Sequence, residues 1–332
     1  MALEAVVPRP IDLPLYCPVC HSEVAYCTTH YACPYCPLKF PILCGIADFR
    51  IAADPYISIE EDRIKGQHLW DCAATRTFPE MLDYYYSITP EDPPALAVNW
   101  ISHALAEQQI GADYLTAANL SGQSLLDIGC STAGMVVAAS RNFEQSIGID
   151  CAFRWLAIGR ARLRELGIDA PLICANAEAL PFAHKQFDAI VASDVIEHVR
   201  DVNAVLHQVH RVLAPNGTFI GYTNNRYSPL PDPQVGLFGV GLLPRRWQAP
   251  YVAMRRNDLH RYNVAMRSAP ELKRMLIAAG FTQPTVTASL LSAPHKPHLA
   301  GLLKLYNRIV KLPVIGEFST QFAPRLSWRA QP

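Results

Sequence analysis

Cys17-Pro-Val-Cys20 and Cys33-Pro-Tyr-Cys36 are the residues in this 332-residue sequence whose type and spacing point most directly to chemistry. A two-residue gap lets both thiolates of one turn reach the same ion while backbone N–H groups face the sulfurs. Two such turns, twelve residues apart, supply a closed tetrahedral sulfur cage that suits structural Zn2+. Four ligands saturate the cage, which leaves out the nearby Cys27, Cys44, His21 and His30. A redox pair would need only one turn and a thioredoxin-like βαβ setting, which this stretch lacks. The other six of the ten cysteines stand singly in apolar surroundings, as expected of buried thiols in a reducing compartment. A module of about 50 residues has little core, so the metal is expected to supply much of its folding energy.

A second group of chemical residues is spread along the chain at the ends of apolar runs. It comprises Asp127 to Gly134, Asp150, Asn176 to Glu178, and Ser193 to His198. The elements that must position them alternate: strand Ser124–Gly129, helix Met135–Arg141, strand Gln145–Asp150, helix Ala152–Leu166, and strands Pro171–Ala175 and Phe187–Ser193. Helix Val202–Leu213 follows, with apolar residues at 202, 205, 206, 209, 212 and 213 in a 3.6-residue stripe. Pro215-Asn-Gly217 is expected to stop it and turn the chain into strand Thr218–Tyr222. Ser268-Ala-Pro-Glu271 reads as a capping box opening a further helix that Gly280 ends. Pro324 to Arg329 supplies the last, antiparallel strand. Repeated βα units of this kind build a doubly wound sheet, and ligands bind outside the carboxyl ends of its strands. The four stretches therefore line one crevice.

The expected architecture is α/β, a Rossmann-like seven-stranded sheet with a ribbon over residues 1–52, a helical bridge over 53–118 and the sheet domain over 119–332. The bridge has apolar spacing for helices at Ala95–Leu105 and Ile110–Ala118, set off by Asp92-Pro-Pro94 from the tyrosines of Met81–Tyr86. It reads as a lid over the crevice. The tyrosines pack there or line a substrate pocket.

In these positions the chain resembles class I S-adenosylmethionine-dependent methyltransferases of the type 11 kind, over about residues 120–290. Asp127-Ile-Gly-Cys-Ser-Thr-Ala-Gly134 is similar to that family's Asp-x-Gly-x-Gly-x-Gly loop, with Ser131 and Ala133 where later glycines stand. The resemblance implies S-adenosylmethionine as cofactor, held by Asp127, Gly129, Cys130, Ser131 and Gly134. It also implies that Asp150, with Cys151 beside it, accepts the ribose hydroxyls. Asn176, Ala177 and Glu178 fall where the family reads adenine, and Ser193 flanks the methyl donor. A nicotinamide-binding domain would instead show Gly-x-Gly-x-x-Gly, which is missing. The two cysteine turns resemble zinc ribbons that precede some bacterial methyltransferase domains.

Methyl transfer needs mainly a positioned acceptor and excluded water, with a base for oxygen or carbon acceptors. His198 follows the fourth strand of the domain at the reactive end and is the first choice, with Asp194 and Tyr222 behind it. A Pro-rich insertion over about 224–262 is expected to cover the acceptor. It resembles methyltransferases of the quinone and small-molecule group, so the expected acceptor is a small molecule, lipid-linked or glycan-related.

Charge leaves other partners open. Residues 1–120 hold 6 Lys/Arg against 15 Asp/Glu, and the remainder 23 against 14. Arg245, Arg246, Arg255, Arg256, Arg261, Arg267, Lys273 and Arg274 crowd one stretch. A helix at His298–Leu312 has Leu299, Leu302, Leu303 and Tyr306 on one face and Lys304, Arg308 and Lys311 on another. It packs on its own domain or lies on a membrane. The ribbon and the basic half would also suit an RNA methyltransferase. A methyltransferase fold that only binds is the third reading. No apolar run reaches the roughly 18 residues of a membrane span. The start, Met1 to Pro8, has no signal-peptide pattern, so a cytoplasmic location is expected.

Overall fold

The computed structural model describes residues 11–91, 94–256, 262–292, 297–312, 316 and 319–332. Met1 to Pro8, Asp92-Pro93 of the bridge and Arg261 of the basic stretch lie outside them. The short alternating runs near the N-terminus form β1 (Ala25–Tyr26), β2 (His30–Ala32), β3 (Lys39–Leu43) and β4 (Ile46–Asp48). Three helices follow, α1 (Ile59–Cys72), α2 (Phe78–Ser87) and α3 (Pro94–Ala118). The bridge thus ends in one 25-residue helix, where two were expected. Nothing in 95–118 breaks a helix strongly, since Gly111 alone costs only about 1 kcal/mol. It also packs against Met135 and Ala138, where a Cβ would find contacts at 3.2–3.3 Å.

Runs that are apolar at consecutive positions make strands buried on both faces, as a parallel sheet requires. They are β5 (Gly122–Ile128), β6 (Phe143–Asp150), β7 (Leu172–Cys174), β8 (Phe187–Ser193) and β9 (Leu213–Asn224). Between them lie α4 (Gly134–Ala139), α5 (Phe153–Glu165) and α6 (Val202–Val212). Pro215-Asn-Gly217 does not separate α6 from the strand as a free turn. The chain enters β9 at Leu213, opposite Phe187, and the register then jumps to Thr218 opposite Ala189. Then come α7 (Arg245–Arg256), α8 (Ala269–Ala278), β10 (Thr282–Ala288), α9 (Ala300–Ile309) and β11 (Arg325–Gln331).

The sheet runs β1-β2-β3-β4-β7-β6-β5-β8-β9-β11-β10. Strands β5 to β9 are parallel, and β11 lies antiparallel between β9 and β10. The seven strands expected over residues 119–332, the last antiparallel, are β5 to β11, and the ribbon, expected to stand apart, adds β1 to β4 to the same sheet, eleven strands among the described residues. Strand β4 pairs parallel with β7, Ala47 opposite Ile173 and Asp48 opposite Cys174. The two parts also share one core. Leu15, Tyr31, Phe40 and Phe49 pack in the cluster that contains Ile149, Ile173, Leu180 and Phe182, and Phe40 stacks on Phe49 at 4.5 Å.

Helix α8 starts at Ser268, but the expected capping box is absent: Ser268 makes no side-chain cap bond. Arg245 takes the Glu271 carboxylate instead, at 2.6 Å. Capping boxes stand at Ser58/Glu61 and Thr77/Glu80, and these start α1 and α2. On α9 the packed residues are Leu303, Tyr306 and Asn307, half-buried, whereas Leu302 is exposed rather than on their face. No helix among the described residues is long and apolar enough to cross a membrane.

Candidate active site

Two glycine-like turns open the crevice. Gly129 has φ +74° and its missing Cβ would meet Val195 at 2.4 Å, so packing against β8's exit as well as backbone freedom requires glycine there. Ser131 (φ +47°) and Ala133 (φ +63°) keep the left-handed conformation that glycine adopts freely. The loop is tied to β6 by Gly129 and Cys130, whose N–H groups both donate to the Ile149 carbonyl at 2.8 and 2.9 Å. The Cys130 thiol is turned into the core with Val136 and Phe153, leaving only its backbone to the crevice.

Asp150 ends β6 as expected. One carboxylate oxygen accepts from Ser131 N at 2.9 Å and the other from Ala152 N at 2.8 Å. Each oxygen keeps a further lone pair for a hydroxyl donor. Asp127 is buried with its Oδ2 unpartnered, and burial pushes its carboxyl well above the usual range. Glu107, from α3, is a site residue that the sequence reading missed. Its Oε2 accepts from Thr132 Oγ1 and Gly134 N, both at 3.2 Å, and a Cβ on Gly134 would meet it at 2.5 Å. Burial pushes the Glu107 carboxyl up to about 7, against the pull of Arg162. Three carboxyls in one desolvated pocket make a place for a cation.

Asn176, expected beside adenine, turns its side-chain amide to the segment after β4. Its Oδ1 accepts from Ile51 N and Ala52 N at 3.0 and 3.1 Å, and its Nδ2 donates to Ala52 O at 3.1 Å. The side chain is consumed in clamping the segment that leaves the ribbon. Ala177 is buried beside it, while Glu178 accepts from Arg200 N at 3.0 Å and so ties the exit of β7 to that of β8. Cys151 offers its carbonyl to Arg50 at 3.0 Å.

That contact belongs to a buried ion network also missed in the sequence. Arg50 pairs with Asp48 at 2.7 Å and Asp62 at 2.6 Å; Arg154 pairs with Asp62 at 2.8 Å and Asp54 at 2.9 Å. Asp62 also accepts from Phe153 N at 2.7 Å, holding the first turn of α5. Its members come from β4, the linker, α1 and α5, and no local pattern joins positions about a hundred residues apart.

On the acceptor side Asp194 has φ +54° and pairs with Arg325 of β11. The Arg325 guanidinium lies 4.4 Å from the Tyr222 ring, and burial lowers its pKa to about 10. Tyr222 is buried with its phenol pushed up by desolvation, next to Ser193. His198 is half-buried, its Nε2 3.3 Å from the Gln234 amide of the insertion. Glu197 is 1% exposed, with Oε1 near Asn224 and Oε2 unpartnered. A cavity of about 200 Å3 opens beside them, lined by Asn224, Arg226, Leu230, Asp232, Val240, Met266, Leu291 and Arg325 among others. Asp194 and Tyr222 are engaged by Arg325, which lines that cavity, whereas Asp194, Tyr222 and His198 are not themselves among its lining residues.

In the ribbon, the Sγ atoms of Cys17, Cys20, Cys33 and Cys36 all lie within 4.8 Å of one another, and Cys36 N donates to Cys33 Sγ at 3.2 Å. Among the described residues no His, Asp or Glu joins this group, and neither does Cys27 or Cys44. Four sulfurs at such distances can hold one metal ion.

Comparison with known proteins supplies the context. A family model described as a methyltransferase domain matches residues 126–221. A ubiquinone/menaquinone biosynthesis C-methyltransferase of Edwardsiella ictaluri is 31% identical over 49% of this chain and 68% of its own length. The corresponding enzyme of Pasteurella multocida is 30% identical over 49% of this chain, which spans 63% of that relative. A ubiquinone biosynthesis O-methyltransferase of Psychrobacter arcticus is 29% identical over 58% of this chain and 72% of the relative. Among solved structures, geranyl diphosphate C-methyltransferase from Streptomyces coelicolor A3(2) is 18% identical with a TM-score of 0.46, covering 67% of this chain and 75% of that one.

Proposed function

Because the chain belongs to the class I S-adenosylmethionine-dependent methyltransferases, we propose that it methylates a small acceptor seated between the 224–262 insertion and the ends of β8 and β9. The observation that carries this reading is the set of desolvated acids, Asp127, Asp150 and Glu107, gathered at the carboxyl ends of β5 and β6 and beside the glycine-like loop. Such a pocket fits a ligand that brings both hydroxyls and positive charge. Asp150 would accept the ribose hydroxyls and Asp127 the α-ammonium group. Gly129, Cys130, Ser131 and Gly134 would present backbone, and Cys151, Ala177 and Ser193 would flank the adenosine and the methyl donor. S-adenosylmethionine, when bound, supplies a methyl group on a sulfonium.

The residues of this chain orient the acceptor, exclude water and take up its proton. Apolar Leu230, Val240, Met266 and Leu291 in the cavity wall favour an acceptor with an apolar body, in keeping with the quinone-pathway names of the relatives. His198 would accept the proton of an acceptor hydroxyl or acidic carbon, with Gln234 fixing its ring. Asp194 serves as counter-ion to Arg325 in this reading, and Tyr222 as the floor under that pair. Cys17, Cys20, Cys33 and Cys36 would hold a structural Zn2+.

Isothermal titration with S-adenosylmethionine and its demethylated product tests the reading. Binding of both ligands is expected, and Asp150→Ala should weaken it at least roughly tenfold through loss of two charge-assisted hydrogen bonds. No heat and no thermal shift with either ligand would return the fold to a binding role without catalysis.

A further inference from the structure

The 224–262 insertion leaves the sheet after β9, and the α9 segment leaves it after β10. Because β11 is antiparallel to both neighbours, both exits lie at the carboxyl end of the sheet. They meet at one cavity, whose wall includes Leu230 and Val240 from the insertion and Leu291 from the segment after β10. Asn307 of α9 holds Leu291 by two hydrogen bonds of 2.9 and 3.0 Å, and Tyr306 bonds Ser289 O at 3.2 Å. Helix α9 is thereby fastened beside the cavity on its Leu303–Tyr306–Asn307 face.

What these elements turn to solvent is apolar and cationic. Trp247 is 55% exposed and Met254 74%; on α9, Leu302 is 64% and Leu305 56% exposed. Ile309 continues that stripe at helical spacing and exposed Leu312 follows just beyond the helix, so none of it belongs to the packed face. Arg246, Arg255, Lys304, Arg308 and Lys311 stand close to these apolar residues along the chain, while Arg245 is taken up by Glu271. No carboxylate occurs from 233 to 256, and none between Glu271 and Glu317. In a chain of zero net charge this is a marked exclusion of one sign.

We propose that α7 and α9 form a single docking surface for an anionic lipid bilayer, with the apolar side chains entering the headgroup boundary and the cations lying among the phosphates. The charge decides the occupant. A protein partner would be served by apolar area with mixed charge, whereas cations only, on long flexible stems around a leucine and tryptophan layer, match an anionic interface. The surface uses residues outside the methyl-transfer crevice, so it stands or falls separately from the reaction.

The test is sedimentation of the full chain with vesicles of phosphatidylcholine alone and of phosphatidylcholine mixed with phosphatidylglycerol. Binding is expected to the mixed vesicles, falling with salt, with a blue shift of tryptophan emission that Trp247→Phe removes. Leu302→Ser with Leu305→Ser should lower partitioning by at least about tenfold, and Lys304→Gln with Arg308→Gln by about fivefold per charge. These positions are exposed, so thermal midpoints and cofactor binding should stay at the parent's values and report that the variants fold. Absent binding to mixed vesicles, equal binding to phosphatidylcholine alone, or undiminished binding by both variants would overturn the proposal. Retention on RNA without vesicle binding would reassign the surface to nucleic acid and overturn it as well.

Discussion

Glu107 shows how much of the crevice is set by burial. A carboxyl raised to about 7 keeps its proton at pH 6 and gives it up above neutrality. A cation bound nearby favours the carboxylate, so cofactor binding should release that proton. Affinity for S-adenosylmethionine is therefore expected to rise about tenfold from pH 6 to pH 8, and titrations of Glu107→Gln should show a flat profile. The stability consequence has the same origin. With a folded value above the ordinary carboxyl range, the group's contribution is fully present in acid and is lost as pH rises through about 7. Glu107→Gln should then unfold at higher urea than the parent above pH 7 and at similar urea near pH 4. Asp127 and Asp150 were legible in the sequence because each ends an apolar strand. Glu107 was not, since it reaches the loop from mid-helix, fifteen residues before β5, and nothing in the apolar spacing of 95–118 marks it. Asn176 was legible as a position, but not its clamp, because the side chain's partners are backbone atoms of a segment 125 residues earlier.

The elements divide the same way. Strand β8 and helix α6 lie within a residue of their expected bounds, because a run buried on both faces and a clean 3.6-residue stripe each admit one solution. Ser268 stands at the cap of α8 where expected, but the box does not form, and Arg245, from the insertion, takes Glu271 instead. The linker from β4 to α1 is the element that sequence reading undervalued. Its clamp needs a side chain that accepts twice and donates once, which an amide provides and a carboxylate does not. Asn176→Asp should leave the Ala52 carbonyl without its donor and bury a charge. A loss of roughly 1–3 kcal/mol in urea denaturation is expected, with faster proteolysis between residues 50 and 58. Unchanged stability and proteolysis would mean that the linker is held by its ion pairs alone.

Across the whole molecule the acidic first third and the basic remainder meet inside. Asp48, Asp54 and Asp62 neutralise Arg154 together with Arg50, so part of the charge split seen in the sequence is intramolecular. The ribbon shares this network, a strand pairing and a core with the sheet. Chelation is thus expected to lower the thermal midpoint of the entire protein in one transition and to weaken cofactor binding. Two separate transitions, with the larger one unmoved, would show the ribbon to be an independent appendage. The pairing of Ala47 with Ile173 also bears on synthesis. The ribosome delivers β4 well over a hundred residues before β7 exists, so the nascent ribbon emerges with an open strand edge and Asp48 and Arg50 still short of their distant partners. Closing so long a loop is slow. During that interval the segment is a natural client for chaperones, and a message truncated before residue 174 would yield a ribbon with its edge still exposed.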